Sequence, residues 1–305
     1  MRPARSFATD GAQGLALAAF LKERSGESWR TVKAWLEAGR IRVNGESERD
    51  AGRRLRGGET IELLDHAPRV GRRAEVRIVH DDTHVVVIEK PEGVMSVPYE
   101  GERDTAMDLI RDAWRRRGQV STPLLIVHRI DKDTSGLLVF AKSKRAEVEL
   151  AGMFRAHSVQ RSYLCVAHGL VSARRIESRL VPDRGDGLRG SARLPDQGKV
   201  AITHVRPLES LRRTGPGASL CEVRLETGKT HQIRIHLAES GHPLVGETVY
   251  IRDFLKQGGQ PLPSPRLLLH AQSLGFRHPI SGEPLAFRSE PPEDFHAALE
   301  ALRRA

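Results

Sequence analysis

The sequence is poor in cysteine, in aromatic residues and in long apolar runs, and each shortage excludes a class of protein. Only 2 of the 305 residues are cysteine, Cys165 and Cys221, so a disulfide framework and a cysteine-rich zinc site are both excluded. Aromatic residues make up 5%, which argues against a broad platform for stacking single-stranded bases. No apolar run approaches the roughly 20 residues that span a bilayer, and the N-terminus lacks the apolar core of a signal peptide. We therefore expect a cytoplasmic protein that does not enter a membrane.

Positive charge is what the sequence has in excess. It contains 49 Lys and Arg against 39 Asp and Glu, a formal net charge of +10. Such a charge attracts phosphate, although the same surplus could serve only to keep the protein soluble. Residues 1–73, about a quarter of the chain, hold 15 Lys and Arg against 10 Asp and Glu, and so carry half of the surplus. This distribution favours a polyanionic partner.

Periodicity and turn residues divide the chain into three segments. Residues 1–66 predict a small domain of two short helices and a hairpin, whose tight turn is Asn44-Gly45. Residues 67–74 have no apolar period and predict a linker. In residues 75–305 strands outnumber helices and do not alternate with them regularly. That pattern predicts an α+β fold with a mixed or antiparallel sheet rather than a doubly wound one.

Short apolar runs and two amphipathic segments define the elements expected after residue 75. The predicted helices are Thr105–Arg116 and Lys144–Ala156. The predicted strands are Val76–Val79, Val85–Ile88, Leu137–Ala141, Tyr163–Val166, Ala201–Val205, Leu220–Leu225, Gln232–Leu237 and Leu267–Ala271.

The first domain carries a short motif at residues 37–45, which read Glu-Ala-Gly-Arg-Ile-Arg-Val-Asn-Gly. It resembles the αL RNA-binding motif that is shared with a small-subunit ribosomal protein, and the resemblance covers roughly residues 14–63. Four cations would then lie near one helix–hairpin surface and could follow RNA phosphates, although they could also be ordinary solvated charges. These predicted RNA-binding residues are Arg30, Lys33, Arg40 and Arg42.

A dense polar cluster directly precedes an apolar run at residues 128–142, which read His-Arg-Ile-Asp-Lys-Asp-Thr-Ser-Gly-Leu-Leu-Val-Phe-Ala-Lys. It is not a protein-kinase catalytic loop, because Ile130 separates His-Arg from Asp and the Asp-Phe-Gly motif is missing. It is not a calcium loop that begins at Asp131, because Lys142 replaces the bidentate glutamate. By itself, Asp131 is about as consistent with a residue that caps a turn as with a catalyst.

The whole segment closely resembles the signature of the RluA-type pseudouridine synthases, and four further segments match that family in order. Residues 90–93 (Lys-Pro-Glu-Gly) resemble its early loop, and residues 161–166 resemble its tyrosine strand. Residues 227–237 resemble its third motif, and residues 266–279 contain its closing strand and turn. The resemblance covers about residues 75–295. Departures at Ile130 and Glu92 affect no catalytic role.

The resemblance implies a cofactor-free reaction and a role for several residues. The bond between base and ribose breaks, the base rotates, and the two rejoin through carbon. Asp131 would be the essential carboxylate, acting by attack on the ribose or base or through a glycal. Arg234 would pair with Asp131 and keep it ionised, and Tyr163 would pack against the base and move a proton. Arg129 would enter the RNA stack as the uridine flips out.

His128 and Thr134 complete the expected substrate-binding residues, and Thr134 also lies in a turn where its hydroxyl can cap the backbone. His231 and His236 would point to opposite faces of a strand. With His270 they do not form an evident set of zinc ligands, so we predict no metal site.

The function that we predict is that of an RNA pseudouridine synthase with a small RNA-binding domain. The appended domain favours large-subunit ribosomal RNA, with transfer RNA as the alternative, and the sequence indicates no obligate protein partner. A non-catalytic RNA-binding or ribosome-assembly factor on the same fold would not need Asp131, Tyr163 and Arg234 together. A nucleoside hydrolase would need a second carboxylate, for which Asp133 is the candidate.

Overall fold

The computed structural model describes residues 3–9, 11–48, 50–56, 58–64, 75–98, 104–120, 122–211 and 217–304. The chain divides into two compact units, Met1–Ala74 and Glu75–Ala305, each with its own hydrophobic core. The linker predicted at residues 67–74 lies outside the described residues. No helix among the described residues is long and apolar enough to cross a membrane.

The first unit packs two helices against a four-stranded antiparallel sheet in the order β1-β4-β2-β3. Its elements are β1 (Pro3–Ala8), α1 (Leu17–Ser25), α2 (Trp29–Glu37), β2 (Ile41–Val43), β3 (Glu46–Ser47) and β4 (Thr60–Leu64).

Local signals explain where these elements begin and end. The Ser28 hydroxyl accepts a hydrogen bond from the Thr31 amide at 3.1 Å and so caps α2. Asn44 and Gly45 have φ angles of 51° and 84°, the left-handed pair that a two-residue hairpin requires. The two predicted helices and the predicted hairpin are therefore confirmed.

The second unit contains an 11-stranded sheet and five helices within its described residues. Its elements are β5 (Arg77–Asp81), β6 (Val85–Lys90), α3 (Ala106–Arg116), β7 (Leu125–Ile126), β8 (Ser135–Ala141), α4 (Lys144–Arg155), β9 (Gln160–His168), β10 (Arg174–Val181), β11 (Gly190–Ser191), β12 (Lys199–Leu211), β13 (Ala218–Leu225), α5 (Gln232–Glu239), α6 (Arg252–Lys256), β14 (Leu269–Arg277), β15 (Pro284–Arg288) and α7 (Glu293–Arg304).

The sheet runs in the order β11-β10-β12-β13-β9-β14-β8-β6-β5, with β15 paired to β14 and β7 paired to β8. Among the described pairings, only that of β14 with β8 is parallel. The sheet is therefore mixed and mostly antiparallel, as the α+β prediction required.

Helices cover both faces of the sheet because its strands are apolar on both sides. α3 packs on one face of β6 and β8, and α4 packs on the other. Along β9, Tyr163 and Cys165 face the cluster that contains α5, whereas Leu164 and Val166 face α7. This arrangement aims Tyr163 towards the loop that precedes α5.

The predicted strand Gln232–Leu237 is wrong, because these residues form helix α5. The sequence alternates polar and apolar residues with the period of a strand, but all six residues are buried in the helix. A polar contact starts the helix: the Gln232 side chain accepts hydrogen bonds from the Lys229 amide and the Thr227 hydroxyl, at 3.0 and 2.8 Å. Helices α6 and α7 and strands β1, β7, β10, β11 and β15 were not predicted.

Gly136 is required where β8 meets β14. Its φ is 112°, and a Cβ there would lie 2.3 Å from the carbonyl oxygen of Ala271 in the parallel pairing. We expect Gly136→Ala to lower the free energy of unfolding by about 3 kcal/mol or more, measured by urea denaturation. In the control Gly118→Ala, φ is 66° but nothing lies within 4 Å, and we expect a loss of about 1 kcal/mol. Equal losses would contradict the clash.

Candidate active site

A cavity of about 470 Å³ opens beside the polar segment that precedes β8. Its wall comes from that segment, from the end of α4, from the start of β9 and from the loop before α5. The lining side chains include five of the six residues predicted to act on the substrate. These five are His128, Arg129, Asp131, Thr134 and Tyr163.

Asp131 presents its carboxylate to the cavity without a hydrogen bond from any described residue. The side chain is 18% exposed, and Oδ1 lies 4.0 Å from Nε2 of His231. The Asp131 carbonyl accepts a hydrogen bond from the Thr134 amide at 3.1 Å, which closes the turn around it. The backbone is therefore engaged while the carboxylate is available to a substrate.

Two polar side chains hold the residues on either side of Asp131. The Ser96 hydroxyl donates to the Ile130 carbonyl at 2.7 Å and accepts from the Ile130 amide at 3.2 Å. Lys90 Nζ donates to the Lys132 carbonyl at 2.9 Å and to two further carbonyls, those of Pro91 and Val94. Burial lowers the pKa of Lys90 to about 7. These hydrogen bonds connect the loop that contains Asp131 to the end of β6 and to the segment that follows it.

Tyr163 is buried in the cavity wall. Burial raises the pKa of its phenol; the Arg161 guanidinium works against that rise and the Asp131 carboxylate adds to it. The phenol is therefore protonated at neutral pH.

Arg234 forms a buried ion pair with Glu247 rather than the expected pair with Asp131. Its Nε and Nη2 donate to the two Glu247 oxygens at 2.8 and 2.7 Å, and no other described carboxylate lies within 4.0 Å. Burial alone would lower the pKa of Arg234, but the Glu247 hydrogen bonds raise it, and the Asp131 charge raises it further. The Asp131 charge therefore acts on Arg234 from a distance and not by contact.

Tyr250 and His231 were not predicted as site residues, and they connect the ion pair to Asp131. The Arg234 guanidinium lies 5.4 Å from the centre of the Tyr250 ring. The Tyr250 hydroxyl lies 2.7 Å from Nδ1 of His231, whose Nε2 approaches Asp131. Burial lowers the pKa of His231 although the Asp131 charge opposes this, so the imidazole is neutral at neutral pH. This arrangement depends on the long-range pairing of Arg234 with Glu247, which no motif in the sequence indicated.

The other predicted substrate-binding residues differ in their exposure and in their hydrogen-bond partners. Arg129 is exposed at the cavity. His128 is held inside the protein, since its ring stacks on Phe154 at 4.4 Å and Nε2 accepts from the Val139 amide at 3.1 Å. Burial lowers its pKa to about 3, so it is neutral. Thr134 is buried, and its hydroxyl has no partner among the described residues.

The predicted histidine geometry is wrong, since His236 lies on helix α5 and not on a strand. Its Nδ1 lies 2.8 Å from the Thr203 hydroxyl, whereas Nδ1 of His270 lies 3.0 Å from the Ser135 hydroxyl. Within the described residues, no group of three or more His, Cys, Asp or Glu could hold a metal ion.

The four predicted RNA-binding cations lie in the first unit, and they are not equally free. Arg30 and Lys33 are exposed one turn apart on α2. The Arg40 Nε donates to the Leu64 carbonyl at 2.9 Å, and Arg42 is half-buried on β2. Arg30 and Lys33 are therefore the pair that can be replaced with least effect on the fold.

The Arg234–Glu247 pair predicts a pH-dependent stability. Burial would raise the pKa of Glu247, but the Arg234 hydrogen bonds hold it below the ordinary 4.5. The pair therefore contributes fully above about pH 4.5, and its contribution is lost as the pH falls through the folded pKa. We expect Glu247→Gln to cost about 3 kcal/mol at neutral pH, measured by urea unfolding, and progressively less in acid.

A surface pair supplies the control for that substitution. Arg288 and Glu290 are both 69% exposed, and we expect Glu290→Gln to cost less than about 1 kcal/mol. A loss for Glu247→Gln that is the same at every pH would contradict the account.

Comparisons with known proteins identify the family of the chain. Residues 84–239, which include Asp131, Tyr163 and Arg234, match the family model described as RNA pseudouridylate synthase. The chain is 34% identical to the "Ribosomal large subunit pseudouridine synthase D" of Xanthomonas campestris pv. campestris, over 96% of this chain and 91% of that protein. It is 38% identical to the protein of the same name from Zymomonas mobilis subsp. mobilis, over 74% and 73%.

A solved structure is similar as well. The structure of "Human RNA Pseudouridylate Synthase Domain Containing 4" matches with a TM-score of 0.56 and 25% identity, over 74% of this chain and 92% of that one. Family model, sequence relatives and fold lead to one conclusion: the chain belongs to the RluA-type family of RNA pseudouridine synthases.

Proposed function

We propose that this enzyme converts specific uridines of large-subunit ribosomal RNA to pseudouridine, with Asp131 as the essential carboxylate and without a cofactor. The observation that carries the proposal is the unbonded Asp131 carboxylate in a cavity that it shares with the buried Tyr163. The choice of RNA is supported by the names of the relatives from Xanthomonas and Zymomonas, which both specify the ribosomal large subunit.

Asp131 has the environment that a reactive carboxylate needs. In the reaction the C1′–N1 bond breaks, the base rotates, C1′ bonds to C5, and the hydrogen of C5 leaves as a proton while N1 gains one. A covalent adduct and a glycal route both use an ionised carboxylate beside the ribose or base. Arg234 lies near enough for the Asp131 charge to raise its pKa, and its pairing with Glu247 holds it in place.

Tyr163 and Arg129 are assigned to the base and to the RNA stack. A protonated phenol offers an aromatic ring for packing against uracil and one O–H for proton movement. Extruding a uridine costs roughly a few kcal/mol of stacking and pairing. Because Arg129 is exposed at the cavity, it can fill the gap in the stack and bind a phosphate.

We assign RNA binding to the first unit through Arg30, Lys33, Arg40 and Arg42. Contacts of cations with phosphates fix position without reading sequence. Arg30 and Lys33 point to solvent from one helix face, a placement that suits an RNA backbone. His128 and Thr134 are assigned to the wall of the substrate cavity.

The first test replaces the carboxylate without changing its size. With RNA that contains C5-tritiated uridine, we expect the wild type to release tritium and Asp131→Asn to lower release by at least about 10⁴-fold, since the reacting group is lost. The matched variant Asp133→Asn removes a neighbouring carboxylate and should retain most of the release. Equal release from the wild type and Asp131→Asn would refute the role of Asp131.

The second test concerns the first unit. We expect the double variant Arg30→Ala/Lys33→Ala to bind RNA roughly tenfold more weakly and to reduce the slope of log affinity against log salt by about 1 to 2. The control Arg115→Ala/Arg288→Ala removes two cations that are 76% and 69% exposed in the second unit. If both variants lose affinity equally, the first unit has no special part in binding RNA. Affinity can be measured by filter binding.

A further inference from the structure

Arg161 lies in the wall of the catalytic cavity, but no role has been assigned to it so far. It precedes Tyr163 by two residues on β9, so both side chains are on the same face of the sheet. Both line the cavity together with Asp131. The Arg161 guanidinium lies 5.4 Å from the centre of the Phe154 ring, at the wall that α4 contributes.

Arg161 is a half-buried cation without an anionic partner in the described part of the chain. None of its N–H groups donates a hydrogen bond to a described residue, and Nε is shielded from solvent. A guanidinium that is withdrawn from water without a carboxylate raises the free energy of the folded protein. Arg234 in the same unit has two carboxylate oxygens instead. Arg161 is therefore suited to an anion that the described residues do not supply.

Charged groups of both signs act on the side chains of the cavity wall. The pKa of His128 is lowered by burial and further by the Arg161 charge, whereas the Asp131 charge acts on His231. Tyr163 responds to both charges, which shift its pKa in opposite directions beside the larger effect of burial.

The cavity is large enough for more than a base. At the packing density of protein interiors, roughly 20 Å³ for each non-hydrogen atom, uracil fills about a third of the cavity's 470 Å³. Uridine with its ribose and one phosphate fills most of it. The only part of that nucleotide with a negative charge is the phosphate.

Gly228 provides the space that Arg161 occupies. A Cβ at this position would lie 2.9 Å from Nη1 of Arg161. Alanine at position 228 would thus displace the guanidinium while leaving its charge in the chain.

We propose that Arg161 binds the phosphodiester next to the target uridine, which makes the cavity a site for a whole nucleotide. The inference rests on the proposed function to the extent that RNA is the substrate. A guanidinium can donate two parallel hydrogen bonds to phosphate oxygens. With the phosphate at Arg161, the ribose lies near Tyr163 and the bond that breaks lies towards Asp131.

The test removes the charge of one phosphate at a time. In a short RNA with a single modified uridine, the linkage on its 5′ side or its 3′ side is replaced by an uncharged methylphosphonate. Each analogue is compared with an all-phosphate RNA that carries the same 2′-methoxy sugar. Dissociation constants are measured by fluorescence anisotropy for the wild type, Arg161→Ala and the control Arg145→Ala, which removes an exposed α4 cation that does not line the cavity.

We expect one of the two analogues to bind the wild type and Arg145→Ala about tenfold more weakly, the size of a lost charge-assisted hydrogen bond. The same analogue should weaken RNA binding by Arg161→Ala less than about twofold. A wild type that is insensitive to both analogues, or an equal loss in Arg161→Ala, would overturn the proposal.

Two further variants keep the test decisive if Arg161→Ala does not fold. Arg161→Lys retains the charge but not the paired donors, and Gly228→Ala displaces the guanidinium, so both should lie between the wild type and Arg161→Ala in their sensitivity to the analogue. Sensitivity equal to that of the wild type in both would overturn the proposal. Because binding is measured apart from turnover, an RNA that binds as expected but yields no pseudouridine would refute the proposed function and not the phosphate site.

Discussion

The availability of the Asp131 carboxylate depends on how firmly the backbone around it is held. Ser96 binds the residue before it, and Lys90 binds the residue after it. Beyond the turn, Gly136 allows β8 to approach β14 in the parallel pairing. Because the main chain is fixed by these contacts, the Asp131 side chain needs no hydrogen bond to hold its position. A reactive group that is placed through its backbone remains free for the substrate.

Charge in the catalytic unit is arranged around that carboxylate. Arg234 is held by two hydrogen bonds to Glu247, so its position is fixed and the two charges oppose each other at neighbouring groups. His231 faces Asp131 as a neutral ring, and it therefore adds no competing cation at neutral pH. Arg161 differs because it has no carboxylate partner among the described residues. One arginine is thus paired within the protein, and the other is left for the RNA.

Sequence patterns predicted the structure correctly where a contact between residues close in the chain determines it. Ser28 caps α2 through an amide three residues away, and Asn44-Gly45 forms its turn without outside help. The same patterns failed at Gln232–Leu237, whose polar and apolar residues alternate as in a strand although all six are buried in helix α5. The motif resemblance led to Asp131, Tyr163 and Arg234. It could not supply Glu247, because that residue reaches Arg234 only through the fold.

The proposed function is tested most directly by identifying which uridine this enzyme converts to pseudouridine. Pseudouridines in large-subunit ribosomal RNA can be mapped by carbodiimide modification and primer extension in a strain that lacks this gene, before and after the purified protein is added to the RNA. We predict that specific pseudouridines are missing from the deletion strain and reappear at the same positions when the protein is added. An unchanged large-subunit map, with pseudouridines missing from transfer RNA instead, would contradict the assignment of the substrate.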